Sequence, residues 1–156
     1  MRAEYDRAID FVRLDQGSEW SNIHLVDALV RAGREKEALL VARPTHSAIW
    51  KSYDMLLACV QHKPATEIAG LAATVQPVDD PEVNYYSAGY LVYCGQTNTA
   101  IPFLKRSIQG NYCFYPAIDA DPFFANVRNQ PEFAELRSAA IACQNNFLAP
   151  RGQRRQ

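Results

Sequence analysis

Asp80 to Gly110, DPEVNYYSAGYLVYCGQTNTAIPFLKRSIQG, reads as two short amphipathic helices joined by a tight turn at Gly95. Asp80 suits the N-cap, where its carboxylate accepts from free backbone N–H groups. Pro81 suits the first helical position, where its missing N–H costs nothing. The first helix is expected from Pro81 to about Cys94. Gly95 then permits a left-handed backbone that a side chain would penalise. The second helix is expected from Thr97 to about Gln109, closed by Gly110. Ala100, Leu104, Ser107 and Ile108 share one face of it, and the small Ala100 lets the first helix approach closely. Pro102 would remove one backbone bond from a helix starting at Thr97, so a start at Asn98 or Thr99, or a mild bend, is expected. A pair of this length cannot bury both its faces alone and needs similar neighbours.

Two further copies of the pattern precede it. Gly33 stands five positions before Ala38 in LVDALVRAGREKEALLVARP (residues 25–44), as Gly95 stands five before Ala100. Between them, Leu56, Ala65, Ala69, Ala72 and Pro77 repeat the spacings, with His62-Lys63-Pro64 in place of the glycine turn. The alanines at 38, 65 and 100 are 27 and 35 residues apart. The longer gap is close to a period of about 34, and the shorter one implies a second helix that stops near Arg43-Pro44. This array of large residue, small residue, turn, alanine and aliphatic resembles the tetratricopeptide (TPR) family. The resemblance implies an all-α fold: a right-handed superhelical array of antiparallel helix pairs.

Working outward, Trp20–Ala32 and Arg34–Arg43 are expected as one helix pair, and Ser47–His62 and Pro64–Val75 as the next. Ser47–His62 carries Ile49, Trp50, Tyr53, Leu56, Leu57 and Val60 around most of its circumference, as a helix with neighbours on two sides would. Ala3–Leu14 is a further helix, with Tyr5, Ala8, Ile9, Val12 and Phe11 as its apolar stripe. It resembles the second helix of a repeat, with Ala8 in the place of Ala38. Either the chain is the C-terminal piece of a longer protein, or this is an ordinary N-terminal cap helix. After Gly110 the pattern stops. Tyr112, Phe114 and Tyr115 form an aromatic loop, Asp121-Pro122 opens a short helix, and Pro131 opens a last helix to about Asn146, with Phe133, Leu136, Ala140 and Ile141 inward. The chain thus divides into repeats at 1–110, a loop and capping helices at 111–148, and a basic tail at 149–156 expected to be disordered.

Tyr115, Pro116, Asp119, Asp121, Pro122, Phe123, Arg128, Pro131 and Phe133 form a second pattern, YP-x-x-D-x-DP-F…R-x-x-PEF. It is similar to the extension that closes TPR regions of bacterial signalling proteins such as Ser/Thr kinases and winged-helix transcriptional regulators. That resemblance implies a C-terminal sensor or adaptor region. No Gly-rich phosphate loop, HRD-type catalytic loop or DNA-reading helix stands in this chain.

At 156 residues, with 48% hydrophobic and 21% charged residues, the chain is long enough for one real core and too apolar to be disordered. A net charge of −1 gives no general attraction to nucleic acid or a membrane surface. No apolar run approaches the roughly 18 residues of a membrane span. MRAEYDRAIDF holds charges where a signal peptide needs an apolar stretch, so a cytoplasmic location is expected. Cys59, Cys94, Cys113 and Cys143 are scattered without a CxxC, so packed thiols are expected rather than disulfides or zinc.

Catalytic chemistry finds little footing. His24, His46 and His62 lie on different elements, and nothing local pairs them with Cys59 or Cys143. Asp119 and Asp121 lack the third ligand, central Gly and terminal Glu of a calcium loop, so they read as cap and turn residues, with Arg128 as a structural partner. Arg151, Arg154 and Arg155 are too few, and without interleaved aromatics, to make nucleic acid an expected partner. No enzyme activity, metal or cofactor is expected.

Interaction is the better reading. In a helical-pair solenoid the first helices line the inner curve. Alignment on the alanines assigns to it Trp20, Ile23, His24, Asp27 and Arg31, then Trp50, Lys51, Asp54 and Leu57, then Tyr85, Tyr86, Gly89 and Tyr93. Aromatic and charged residues on a concave face suit capture of a protein, peptide or helix. Carboxylate-clamp TPR domains use Lys and Asn there. Ile23, Asp27, Trp50 and Asp54 at those positions speak against a clamp. Two other readings stay open: a homodimerisation module using the apolar stripe of the N-terminal helix, and a ligand-binding domain or enzyme using an aromatic groove around Tyr85–Tyr93.

Overall fold

A computed structural model describes residues 2–15 and 17–152. Among the described residues the fold is all-α, with no strand. It divides between Thr74 and Val75 into two compact units.

The first unit holds α1 (Arg2–Val12), α2 (Glu19–Arg31), α3 (Glu35–Val41), α4 (Lys51–Val60) and α5 (Ala65–Thr74). A single 3₁₀ turn, Ala48–Trp50, leads into α4. Helix α2 packs on α1 and α3, and α4 on α5. Ile9, Ile23, Val26, Leu29, Ala38, Tyr53 and Leu56 are buried between them. Ser18 caps α2 by accepting from the Ser21 N–H.

The second unit holds α6 (Pro81–Tyr93), α7 (Thr97–Gln109), the four-residue α8 (Ala117–Ala120), a 3₁₀ turn at Pro122–Phe124, and α9 (Pro131–Gly152). Asp80 caps α6 through the N–H groups of Glu82 and Val83, with Pro81 at the first position, as the sequence predicts. Helix α6 is buried around most of its circumference, from Val83 to Val92. Helix α7 packs along it, and α9 packs on α7. Helix α7 starts at Thr97 despite Pro102, and its first bond runs from the Ala100 N–H to the Gln96 carbonyl. Proline therefore costs one carbonyl bond near the start of the helix, where Asn98 and Pro102 are both exposed. Gly110 lets the hairpin close: a Cβ there would stand 2.6 Å from the Pro81 Cβ. The Ser107 hydroxyl donates to the Pro81 carbonyl at 2.7 Å across the same contact.

One turn geometry recurs. Gly33, His62 and Gly95 all have positive φ, at 73°, 55° and 75°. At each, the turn residue donates to the carbonyl three residues back and the next residue to the carbonyl five back, as from Gly95 to Val92 and from Gln96 to Leu91. These bonds satisfy carbonyls that a helix end leaves free. Asn111, with φ 63°, ends α7 in the same way. The turns at 33, 62 and 95 are 29 and 33 residues apart. Ala65 heads α5 and is exposed, whereas Ala38 and Ala100 are buried, so Ala65 is not their counterpart. The hairpins α2–α3 and α6–α7 match at an interval of 62 residues, which relates Asn22 to Asn84, Gly33 to Gly95 and Ala38 to Ala100. Both asparagines bind main chain. Asn22 accepts from the Arg43 N–H and donates to the Val41 carbonyl. Asn84 accepts from the Val78 N–H and donates to the Val78 carbonyl.

The expectation of packed thiols is corrected. Cys113 and Cys143 form a disulfide with a Cα–Cα separation of 5.4 Å, and no cysteine is a free thiol. The pair is separated by 30 positions in sequence, and only the return of α9 beside the end of α7 brings them together. The last helix also runs beyond Asn146 to Gly152, through the first part of the tail expected to be disordered; the rest of that tail lies outside the described residues.

Candidate functional site

Seven of the residues expected on a binding face lie in the first unit, on α2 and at the start of α4. Glu19 sets their geometry. Its carboxylate accepts from the Thr45 hydroxyl and from the N–H groups of His46 and Ser47, at 2.9 and 3.1 Å. Those bonds, the Thr45 hydroxyl foremost, hold its carboxyl below the ordinary value. The segment leading to Trp50 is thereby tied to the first turn of α2, beside Trp20. The His24 ring lies 4.0 Å from the Trp20 ring and 5.8 Å from that of Trp50. Burial pushes the imidazole below its ordinary value; the Asp27 carboxylate opposes the shift and Arg31 adds to it.

Exposure separates the seven. Trp50 and Asp27 are buried, and Asp27 holds the Arg31 Nε through both carboxylate oxygens at 2.9 and 3.0 Å. This pair is buried and holds its opposite charges against each other within α2, one turn apart. His24 is half-buried, whereas Lys51 and Asp54 are exposed. Trp20 is 58% exposed although its ring rests on His24. Burial raises the carboxyl of Asp54, and the charge of Glu19 adds to the rise. Asp54 also borders a cleft of about 390 Å³ whose other walls include Leu39, Pro44, Leu57 and Leu71.

Three more of these residues, Tyr85, Tyr86 and Tyr93, lie in the second unit. Tyr85 is a core residue: it is 6% exposed, its hydroxyl donates to Asp121 at 2.9 Å, and its ring lies 5.0 Å from Phe114 and 5.8 Å from Phe124. Tyr86 and Tyr93 are half-buried, Tyr93 against Phe123 at 4.9 Å. Asp121 also accepts from the Phe123 N–H, which is the cap role expected of it. Arg128 donates to the main-chain carbonyl of Asp121, while Arg137 takes the carboxylate of Asp119. That carboxyl is held below its ordinary value, first by the hydrogen bond from Arg137. Among the described residues no group of three or more His, Cys, Asp or Glu is placed to hold a metal ion.

Two apolar surfaces are exposed: one extends the stripe expected on the N-terminal helix through Phe11, and the other, between α7 and α9, was not foreseen from the sequence. Phe11, Leu14 and Leu40 are 74–85% exposed, and Leu40 borders a cleft of about 490 Å³ with Val12 and Leu25. A groove also runs between α7 and α9 in two connected parts, of about 320 and 480 Å³, that share Ile108 and Ala139. The signal for the groove was the pair Ile101 and Ile108, seven apart on a second face of α7. No helix among the described residues is long and apolar enough to cross a membrane. Compared with family models, with characterised proteins and with solved structures, the chain finds no match.

Proposed function

We propose that the chain is a non-catalytic protein-interaction module, a TPR-like array of helix pairs whose binding surface on the first unit is anchored by Trp20. The observation that carries this reading is an indole held against His24 yet 58% open to solvent. Tryptophan is the side chain that most often concentrates binding energy, because it buries a large rigid area at low entropic cost. Exposed Lys51 and Asp54 on the first turn of α4 provide the polar rim such an anchor needs. Buried Asp27, Trp50 and Tyr85 then shape the scaffold rather than touch the ligand. The recurring turns at Gly33, His62 and Gly95 support the helical-pair reading. The resemblance of Tyr115–Phe133 to the closing extension of bacterial signalling proteins supports an adaptor or sensor role. The Cys113–Cys143 bridge favours an oxidising compartment over the cytoplasm, where thiols are kept reduced.

The test compares captured proteins for the wild type, Trp20→Ala and Asp54→Lys, each first shown to be folded by circular dichroism. A partner retained by the wild type and lost by Trp20→Ala supports the reading. Equal capture by all three sinks it. A second reading, self-association, is favoured by the exposure of Phe11, Leu14 and Leu40. Concentration-dependent sedimentation that is abolished by Leu40→Glu would support it.

A further inference from the structure

We propose that the groove between α7 and α9 is a second docking site, separate from the Trp20 surface, and that it receives an amphipathic helix with a basic flank. Ile101 and Ile108 form one apolar wall, and Leu136, Ala139 and Phe147 the other. Ile101 to Ile108 spans about 10 Å of α7, and Leu136 to Phe147 about 16 Å of α9, at 1.5 Å per residue. That length matches two to three turns of helix, presenting anchors at i, i+3 or i+4, and i+7.

The walls choose the form of the occupant. An extended peptide binds by adding main-chain hydrogen bonds to a free strand edge, and two helices offer none. An incoming helix satisfies its own backbone and needs only side-chain contact. The small side chains of Ala139 and Ala142 let its backbone come close. A second copy meeting this groove with its own would set one hollow against another, leaving a void that forfeits contact.

Charge selects the flank. Glu132 and Glu135 stand one turn apart on the α9 rim, and Lys105 stands on the α7 rim. None of the three has an ion-pair partner among the described residues. An incoming helix with Lys or Arg three or four residues apart along the α9 side complements the two carboxylates. An acidic residue on its other side complements Lys105. Apolar contact supplies the affinity, and the charges set which helix is accepted and in which direction it lies.

The experiment uses the full, oxidised chain and two synthetic helical peptides with the same leucine pattern, one with lysine and one with glutamate on the flank meant for α9. Fluorescence anisotropy should show the lysine peptide preferred by at least about tenfold. Glu132→Lys with Glu135→Lys should reverse that preference. Ala139→Arg, an exposed substitution that fills the groove and spares the core, should weaken the lysine peptide by at least about tenfold. Amide chemical-shift changes should map to α7 and α9. Binding of neither peptide, equal preference in the wild type and the double variant, or binding indifferent to Ala139→Arg would overturn the proposal. Shift changes centred on Trp20 would overturn it as well. A dimer in sedimentation that Ala139→Arg converts to monomer would assign the groove to a second copy and overturn it too.

Discussion

His24 is held between two indoles with its imidazole depressed below 6.5, so its neutral form is the one the fold accepts. The unfolded chain binds the proton more readily than the native one. Stability is therefore complete above about pH 6.5 and falls as pH drops from there toward the native value. His24→Gln should flatten that part of the profile, read as the urea midpoint between pH 7.5 and 5. The carboxyls of Asp15 and Asp119 are lowered, first by hydrogen bonds from Ser21 and from Arg137 respectively. They act in a lower window: their contribution is present above the ordinary carboxylate value and is lost as pH falls through the native one. Asn84, 1% exposed, meets both the N–H and the carbonyl of Val78. Asn84→Ala leaves two main-chain groups without that partner and should cost about 1–3 kcal/mol in denaturant unfolding. Cap residues such as Asp80 were legible in the sequence because a cap acts within three residues. The clamp at Asn84 was not, since an asparagine inside a helix looks the same whether or not it has a partner.

The helix hairpin is the element that repeats, and its turns make sharp predictions. His62 holds the left-handed conformation that Gly33 and Gly95 adopt freely. A side chain there costs about 1 kcal/mol against glycine. His62→Gly should therefore raise the thermal midpoint or leave it unchanged, the added freedom of the unfolded chain offsetting part of the gain. Gly110 is different, because its φ is −79° and space rather than backbone angle selects it. Gly110→Ala drives a methyl into Pro81 and should lose about 1–3 kcal/mol by overpacking, with α6 separating from the end of α7. Helix periods, turn residues and the Asp80-Pro81 start all followed from local spacing. Alignment on Ala65 misled because alanine at the head of an exposed helix is favoured by propensity alone. The backbone angle at His62, invisible in a list of residues, gives the better register.

At the scale of the molecule, the Cys113–Cys143 bridge closes a loop of 30 residues that includes the aromatic segment and the first half of α9. Opening it returns chain entropy to the unfolded state. Cys113→Ser with Cys143→Ser should lower unfolding free energy by about 3–4 kcal/mol in a urea titration. A fall of that size under reducing conditions would also bear on the compartment in which the protein works. Local spacing along the chain dictates the helical hairpin: where its helices start, where they turn and which face is apolar. Those features depend on interactions between residues no more than about four or five apart. Long-range packing, by contrast, sets which aromatic residues are offered to solvent and which are consumed by the core. Trp20 and Trp50, or Tyr85 and Tyr86, have the same character as residues and differ in what the rest of the chain places on top of them. The disulfide and the groove between α7 and α9 belong with that second set. Each is made by segments 20 or more residues apart, and packing alone brings them together.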